Sequence, residues 1–345
     1  MRDGVPSTSA QSALRRLRRR PEAWLLAVIL IVGTIFSLTA RDFLSLPNII
    51  DLLETYSVQA IMAMGLFVVL VSGGIDISFA ATASVAQYCA ALLASQLGLP
   101  APLVILAGLA VGGILGCLNA LLIHYVRITS IIATIAMMSV SFSLLMYFSG
   151  GKSIYTLPDW WTDRIVFWQT ETESGDLVRI TLPIVAMVVV TLFTWAWMTR
   201  SSAGRQLYAM GGNAEAARRI GINIGRLQFV AYGYLGLMAA IAGMLQAHRV
   251  GESVPNAMYN TELAVLSAAV LGGASLTGGI GTVPGVLLGI VLLAILQNGL
   301  NLLGVSSYFF QIVIGITILA STSLTVISSR RGRRHRILAE APANG

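Results

Sequence analysis

The chain has 345 residues, of which 56% are hydrophobic and only 11% are charged, and it carries a net charge of +7. Soluble domains carry about 25% charged residues, so an ordinary soluble domain, a disordered chain and a disulfide-rich secreted protein are all excluded. Cys89 and Cys117 both lie inside apolar runs and offer no disulfide framework. The sequence predicts an all-α integral membrane protein, built as a polytopic helical bundle.

Apolar segments recur along residues 23–328, and most have the length that a membrane-spanning helix needs. Leu263–Leu271 is too short to cross the hydrocarbon core alone. The sequence therefore predicts a membrane domain, residues 23–328, of about ten transmembrane segments between a basic N-terminal tail, residues 1–22, and a basic C-terminal tail, residues 329–345. The ten segments are Trp24–Ala40, Tyr56–Ser72, Ile77–Leu97, Leu103–Val126, Ile128–Phe148, Thr181–Met198, Leu227–Ala247, Leu263–Leu271, Val283–Leu303 and Tyr308–Ile327.

The basic residues are distributed unevenly between the two sides of this ten-span arrangement. Of the 22 Lys and Arg, all but five fall in the tails and in the loops on the same side as the tails. The positive-inside rule then predicts cytoplasmic termini, a cytoplasmic loop at 200–226 and an external loop at 150–180. Basic residues so placed face anionic lipid, and no nucleic-acid partner is needed to explain them. The five exceptions are Arg41, Lys152, Arg164, Arg179 and Arg249.

Glycine pairs followed by small polar residues interrupt two apolar runs, at Val69–Ser78 and Ala269–Gly279. Broken helices at membrane depth usually line a cavity or pack inside the protein, because lipid cannot satisfy their backbone groups. The similarity of the two breaks predicts broken or half helices and a possible internal repeat that divides near the external loop. The residues predicted to line a translocation pathway or gate are Gly73, Gly74, Gly272 and Gly273.

Asp76 follows the first glycine pair and precedes an apolar run. One interpretation is a helix cap, in which the carboxylate accepts the backbone N–H of Ser78 or Phe79. The other is a functional intramembrane carboxylate that binds a proton or a cation, with Glu262 as a possible second one. The cap is favoured, and Asp76 is counted with the gate residues in either case.

Amide side chains cluster within one apolar run near the C-terminal end of the chain. Gln297 and Asn301 lie four residues apart, and Asn298 lies three from Asn301, so they share one side of a helix. Such amides more often form hydrogen bonds between helices than to a solute. They are nevertheless the best candidate wall of a polar pathway.

The loop at 200–226 contains a short predicted helix bracketed by glycines. Asn213 is placed to cap it, Glu215 falls in its first turn, and Gly221 ends it with a left-handed residue. Arg218 and Arg219 fall in the later turns, where the helix dipole favours cations. The helix is either a plain surface helix between two spans or a docking element for a soluble partner.

No enzyme motif or cofactor site is predicted. Gly151-Lys152-Ser153 has the end of a phosphate-binding loop, but the glycine that should come five positions earlier is Met146, within an apolar run. The chain is therefore not expected to bind ATP itself. His124, His248 and His335 show no metal-ligand spacing, so no metal is predicted.

Glu215-Ala216-Ala217, followed after three residues by Gly221, resembles the EAA-x-x-x-G element of bacterial ABC-importer permeases. The surrounding residues resemble the version found in ribose/xylose-type permeases, the second carbohydrate-uptake family. The resemblance covers both halves of the chain in order. It extends to Val71–Ser78, Leu271–Gly289 and Leu296–Gly315.

The resemblance implies the transmembrane subunit of a bacterial inner-membrane importer for a monosaccharide, with ATP and Mg²⁺ bound by separate ATPase subunits. It also implies a periplasmic solute-binding protein, a second or sister permease copy in a dimer, and coupling to the ATPases through Asn213–Gly221. The alternatives are a nucleoside or branched-chain amino acid permease and an ion-coupled secondary transporter using Asp76. Family members usually continue with Val-Gly-Ser where this chain has Phe79, Ala80 and Ala81, so substrate identity does not carry over.

Overall fold

The computed structural model describes residues 21–171, 175–306, 309–313 and 315–316. Almost all of the two predicted tails, at 1–22 and 329–345, lies outside these ranges, and so does most of the tenth predicted segment, Tyr308–Ile327. The part of the chain described is mainly helical. Its helices are α1 Pro21–Thr39, α2 Leu46–Val71, α3 Phe79–Gln96, α4 Ala101–His124, α5 Ser130–Ser149, α6 Asp159–Thr162, α7 Leu182–Arg200, α8 Ser202–Gly212, α9 Ala214–Arg219, α10 Ile224–Val250, α11 Thr261–Leu271 and α12 Val283–Leu302.

Within those ranges, seven helices are long and apolar enough to cross a membrane: α1, α2, α4, α5, α7, α10 and α12. Two more predicted segments form helices of a different kind. Helix α3 has 18 residues but is rich in Ala, Ser and Thr, and α11 has only 11 residues. The chain is thus a polytopic helical membrane protein, while the count of about ten spans stays a prediction.

Two long helices form the centre of the bundle. In α2 and α10, 83% and 72% of the spanning window is buried, whereas the value for α1 is 17% and for α4 and α5 is 22%. Because lipid can cover an apolar helix from outside, the less buried helices form the outer layer. The interior of the protein therefore lies around α2 and α10, and the end of α2 and the start of α10 lie near the candidate site.

Helices α4 and α10 approach so closely that their backbones touch. Gly108, Gly112 and Gly116 recur every fourth residue on α4, and a Cβ on Gly112 or Gly116 would overlap carbonyl oxygens of α10. Gly236 on α10 has the reciprocal contact with the Gly112 carbonyl. This is the small-residue packing by which membrane helices associate without a hydrophobic driving force.

The predicted external loop at 150–180 has regular structure of its own beside the helical bundle. It contains the short helix α6 and an antiparallel hairpin of β1, Val166–Glu171, and β2, Leu177–Thr181. Trp161 is buried and donates from Nε1 to the carbonyl of Met244 at 3.2 Å, and Trp160 stacks on it. Trp168 on the hairpin is 51% exposed. One tryptophan thus stabilises the fold, and another remains available at the surface.

Candidate coupling and translocation site

The helix predicted in the loop at 200–226 is present as α9. The Asn213 side chain accepts from the N–H of Ala216 at 2.9 Å, and Glu215 pairs with Arg219 at 3.3 Å. Gly221 has φ +85°, and its N–H donates to the carbonyl of Arg218 at 3.0 Å. The predicted cap, end and charge arrangement of this helix are confirmed.

Ala217 and Ile220 show which side of α9 is buried and which is exposed. Ala217 is 2% exposed and holds one side of the helix against the protein, whereas Ile220 at its C-terminal end is 76% exposed. Glu215 and Ala216 also lie on the exposed side. An exposed isoleucine beside charged residues is the kind of apolar anchor that a protein partner covers.

The two predicted helix breaks have the same backbone geometry. After α2, the N–H of Gly73 donates to the carbonyl of Leu70 and that of Gly74 to Val69, with φ +89° at Gly73. After α11, Gly273 and Ala274 repeat this pattern, with φ +90° at Gly273. Both are Schellman caps, in which a left-handed glycine closes the helix.

The two breaks do not align with the first glycines of their pairs matched to each other; the alignment is shifted by one residue. Gly73, the first glycine of its pair, corresponds to Gly273, the second of the other pair. Gly272 instead packs against the start of α12, where a Cβ would lie 2.7 Å from the Cα of Val286. The internal repeat as a whole stays a prediction that this local match supports.

Three backbone segments meet in direct contact at glycines, and we call this contact the glycine junction; it consists of Gly73, Gly211, Gly212, Gly278 and Gly279. The N–H of Gly279 donates to the carbonyl of Val71 at 2.9 Å. A Cβ on Gly211 would overlap that same carbonyl oxygen, and one on Gly278 would lie 2.6 Å from the Cα of Gly73. The junction therefore joins the end of α2, the loop after α11 and the end of α8, directly before Asn213.

Tyr208 strengthens this connection from α8. Its hydroxyl donates to the carbonyl of Gly281 at 2.9 Å, two residues beyond the junction. Burial raises the pKa of Tyr208, so the hydroxyl stays protonated and keeps donating. Sequence reasoning missed Tyr208, Gly211 and the pair Gly278–Gly279; the only available signal was the presence of two further glycine pairs.

Asp76 is 2% exposed and accepts hydrogen bonds from the protein on both carboxylate oxygens. Its Oδ1 accepts from the N–H of Ser78 at 2.6 Å and from the Ser78 hydroxyl at 2.7 Å. Its Oδ2 accepts from Nδ2 of Asn119 on α4 at 3.1 Å. The predicted contact with Ser78 is confirmed, but α3 begins at Phe79, so Asp76 stabilises the turn before the helix and ties it to α4.

The same turn is tied to α5 by two hydroxyls. The N–H of Ile75 donates to Ser130 Oγ at 3.1 Å, and that of Ile77 donates to Thr134 Oγ1 at 3.3 Å. Backbone groups that no helix satisfies here are thus satisfied by side chains, as membrane depth requires. The turn after the first break is thereby hydrogen-bonded to both α4 and α5.

The amides of α12 lie far from Asp76, and the structure does not bring them into one pathway wall with it. Gln297 accepts from the hydroxyl of Tyr56 at 2.6 Å, and Asn298 exchanges two hydrogen bonds with Asn48, at 3.0 and 2.9 Å. Along α2, Tyr56 lies about 25 Å and Asn48 about 37 Å from the break at its C-terminal end. Gln297 and Asn298 therefore join α12 to α2, which is the interhelical role favoured from the sequence.

Asn301 is exposed, and its side chain has no hydrogen-bond partner among the described residues.

We expect Asn298→Ala and Asn48→Ala to show a coupling free energy of about 1 kcal/mol in a double-mutant cycle of thermal unfolding, because the pair shares two hydrogen bonds. Asn301→Ala is the matched control and should leave stability unchanged. A raised KM for solute uptake in Asn298→Ala, without a loss of stability, would return this amide to the pathway.

Glu262 lies in the first turn of α11 and is 6% exposed. It lines a small enclosed cavity with Ala80 and Ala81 of α3 and with Tyr259. Phe79 is buried in the core instead. Of the three residues that depart from the family pattern, the two alanines are the ones that face a cavity.

A family described as the permease component of branched-chain amino acid transport systems matches residues 48–322 of the chain. The chain belongs to this permease family. The match includes both breaks, the glycine junction and α9, and it confirms the resemblance drawn from the motifs.

Individual relatives of this permease are sugar import permeases. It is 33% identical over 314 residues to the ribose import permease protein of Escherichia coli (strain K12), covering 86% of this chain and 93% of that protein. It is 34% identical over 298 residues to the ribose import permease protein of Bacillus subtilis (strain 168), covering 86% and 90%. To the galactose/methyl galactoside import permease protein of Escherichia coli (strain K12) it is 30% identical over 324 residues, covering 90% and 95%.

Proposed function

We propose that the chain is the membrane permease subunit of a bacterial ABC importer for a monosaccharide. The observation that carries this proposal is the identity of about one third to ribose import permeases across most of both chains. The galactose/methyl galactoside relative supports a pentose or hexose more broadly. This subunit is not itself an enzyme: partner ATPase subunits bind ATP and Mg²⁺ and hydrolyse the nucleotide.

Coupling would run through α9 and the glycine junction. An ATPase that covers Ile220 and the exposed side of α9 can push or release this helix when it closes on ATP. Because α9 follows Gly212 directly and the junction is a backbone contact, displacement of α9 reaches the breaks after α2 and α11 together. Those breaks, at Gly73, Gly74, Gly272 and Gly273, would then act as the gate.

The remaining partners follow from the importer proposal. The termini and α9 would face the cytoplasm of an inner membrane, and the hairpin with Trp168 would face the periplasm, where a solute-binding protein delivers the sugar. A second or sister permease copy would complete the pathway as a dimer. Binding of the loaded solute-binding protein would favour one access state through its different contacts with the two states.

The rival substrates and mechanism have less support. The family description mentions branched-chain amino acids, but the relatives that cover most of the chain are named for sugars. An ion-coupled transporter would need Asp76 to bind and release an ion, whereas here both of its oxygens accept hydrogen bonds that hold the turn, from Ser78 and from Asn119.

Isolation of the tagged protein from its native membranes in mild detergent tests the proposal. We expect an ATPase to co-purify, and we expect Gly221→Pro to remove it and to abolish uptake. Proline fixes φ near −65° and lacks the N–H that Gly221 donates to Arg218, so it cannot replace a residue at φ +85°. Gly221→Asn is the matched control, because asparagine tolerates the left-handed region, and it should keep both properties. An ATPase-free complex that moves sugar under an ion gradient would overturn the proposal.

A further inference from the structure

A polar cleft opens beside α9 and is separate from the glycine junction. It has a volume of about 510 Å³, within the range of small-molecule sites. It lies between the C-terminal end of α4, the turn that follows, α9, and the start of α10. The side chains that give it its chemistry are His124, Arg127, Arg218 and Gln228.

The cleft presents positive charge without a compensating acid. Arg127 and Arg218 come from distant parts of the sequence, and no carboxylate is among the residues that line the cleft. Within the described residues neither arginine forms an ion pair, since the salt bridge on α9 is made by Arg219 with Glu215. Two unpaired guanidinium groups on one cleft provide planar donor sets that suit phosphate oxygens.

His124 and Gln228 complete the set of hydrogen-bonding groups in the cleft. The ring Nδ1 of His124 and Oε1 of Gln228 are 2.9 Å apart, so the ring nitrogen donates to the amide oxygen. This bond fixes the glutamine with its oxygen occupied, and its NH₂ group remains for a ligand. The cleft also lies at the N-terminus of the 27-residue α10, where the helix dipole favours an anion.

Arg127 adopts an uncommon backbone conformation for a residue with a side chain. Its φ is +61°, in the left-handed region that disfavours any residue except glycine, asparagine or aspartate. Such strained residues concentrate at binding sites, where the strain is retained because the side chain is needed in one place. The arginine directs its guanidinium to the cleft at this cost.

The position of the cleft identifies the source of the anion. Two membrane-spanning helices, α4 and α10, end and begin at it, which places it at the depth of the lipid headgroups. Tyr125 at its edge is 69% exposed and packs near Phe229 with ring centroids 6.3 Å apart, as aromatic residues do at a membrane interface. We propose that this cleft binds the phosphate of an anionic phospholipid headgroup, held by Arg127, Arg218 and Gln228.

The test measures thermal unfolding of the purified, delipidated protein while dioleoylphosphatidylglycerol, dioleoylphosphatidylcholine or inorganic phosphate is added. We expect phosphatidylglycerol alone to raise the melting temperature saturably. Arg218→Gln should weaken its apparent affinity at least about tenfold, because a charge-assisted hydrogen bond to phosphate is lost. Arg226→Gln is the matched control: this exposed arginine is nearby but does not line the cleft, and its variant should respond like the unchanged protein.

Arg127→Gly provides a second variant with an opposite effect on the lipid-free protein. Glycine accepts φ +61° without strain, so the melting temperature of the lipid-free variant should equal or exceed that of the unchanged protein. Its apparent affinity for phosphatidylglycerol should be at least about tenfold weaker. Equal shifts with phosphatidylcholine, or an equal loss in Arg226→Gln, would overturn the proposal. If inorganic phosphate raised the melting temperature as much as phosphatidylglycerol does, the cleft would be assigned to free phosphate. If Arg218→Gln still bound lipid but no longer co-purified with the ATPase, the cleft would be assigned to an acidic group of the ATPase.

Discussion

Replacing Gly211 by alanine should reduce sugar uptake at least about tenfold while the protein still inserts and folds. The added Cβ would overlap the carbonyl oxygen of Val71 and lie 2.6 Å from the nitrogen of Gly279, and both of these atoms are backbone. Backbone cannot move aside as a flexible side chain can, so the two segments must separate, at a cost of about 1–3 kcal/mol. The hydrogen bond from Gly279 to Val71 is strained by the same change. Uptake and the stoichiometry of ATP hydrolysed per sugar are the measurements.

The neighbouring glycine provides a control of the same chemistry. A Cβ on Gly212 meets nothing within 4 Å, so Gly212→Ala should keep uptake near that of the unchanged protein. Continued ATP hydrolysis with little uptake in Gly211→Ala would identify a lost mechanical connection. Equal uptake by the two variants would show that contact at the junction does not transmit movement.

Replacing Asp76 by alanine should destabilise the protein by several kcal/mol and thereby remove uptake. The change leaves the N–H of Ser78 and one of the two Nδ2 hydrogens of Asn119 without an acceptor in a buried place, while the other Nδ2 hydrogen still donates to Ser78 Oγ. Each unsatisfied donor costs about 1–3 kcal/mol. Thermal unfolding in detergent and the amount of protein in the membrane measure this effect.

Asp76→Asn separates this structural role from ion coupling. Asparagine keeps one oxygen for Ser78 and loses the acceptor opposite Asn119, so we expect a modest loss of stability and retained uptake. An ion-coupled carboxylate would behave differently, because an amide cannot bind and release a proton. Normal stability together with complete loss of uptake in Asp76→Asn would therefore favour ion coupling.

The coupling helix could be predicted from sequence because its signals are local. Asn213 and Gly221 lie next to the ends of α9, and each acts through backbone groups a few residues away. Long apolar helices were predicted for the same reason, although their ends were shifted: α2 begins ten residues before the predicted Tyr56, at Leu46.

The glycine junction could not be predicted, since its contacts join residues that are far apart in the sequence. Gly211 and Gly278 look like any other glycines of a membrane chain until their neighbours are known. The contacts of the α12 amides could not be predicted from the sequence either. Asn298 can pair with another asparagine or with a sugar hydroxyl by the same chemistry, and only the position of Asn48 decides between them.

The backbone contact between α4 and α10 bears on which parts of the protein can move. Helices that touch through Gly112, Gly116 and Gly236 cannot rotate about their own axes without placing a larger side chain against a carbonyl. We therefore expect these two helices to keep their positions relative to each other during a transport cycle. Rearrangement is left to the elements hinged at left-handed glycines, and spectroscopic labels on α4 and α10 should keep a constant separation while labels on α9 change theirs.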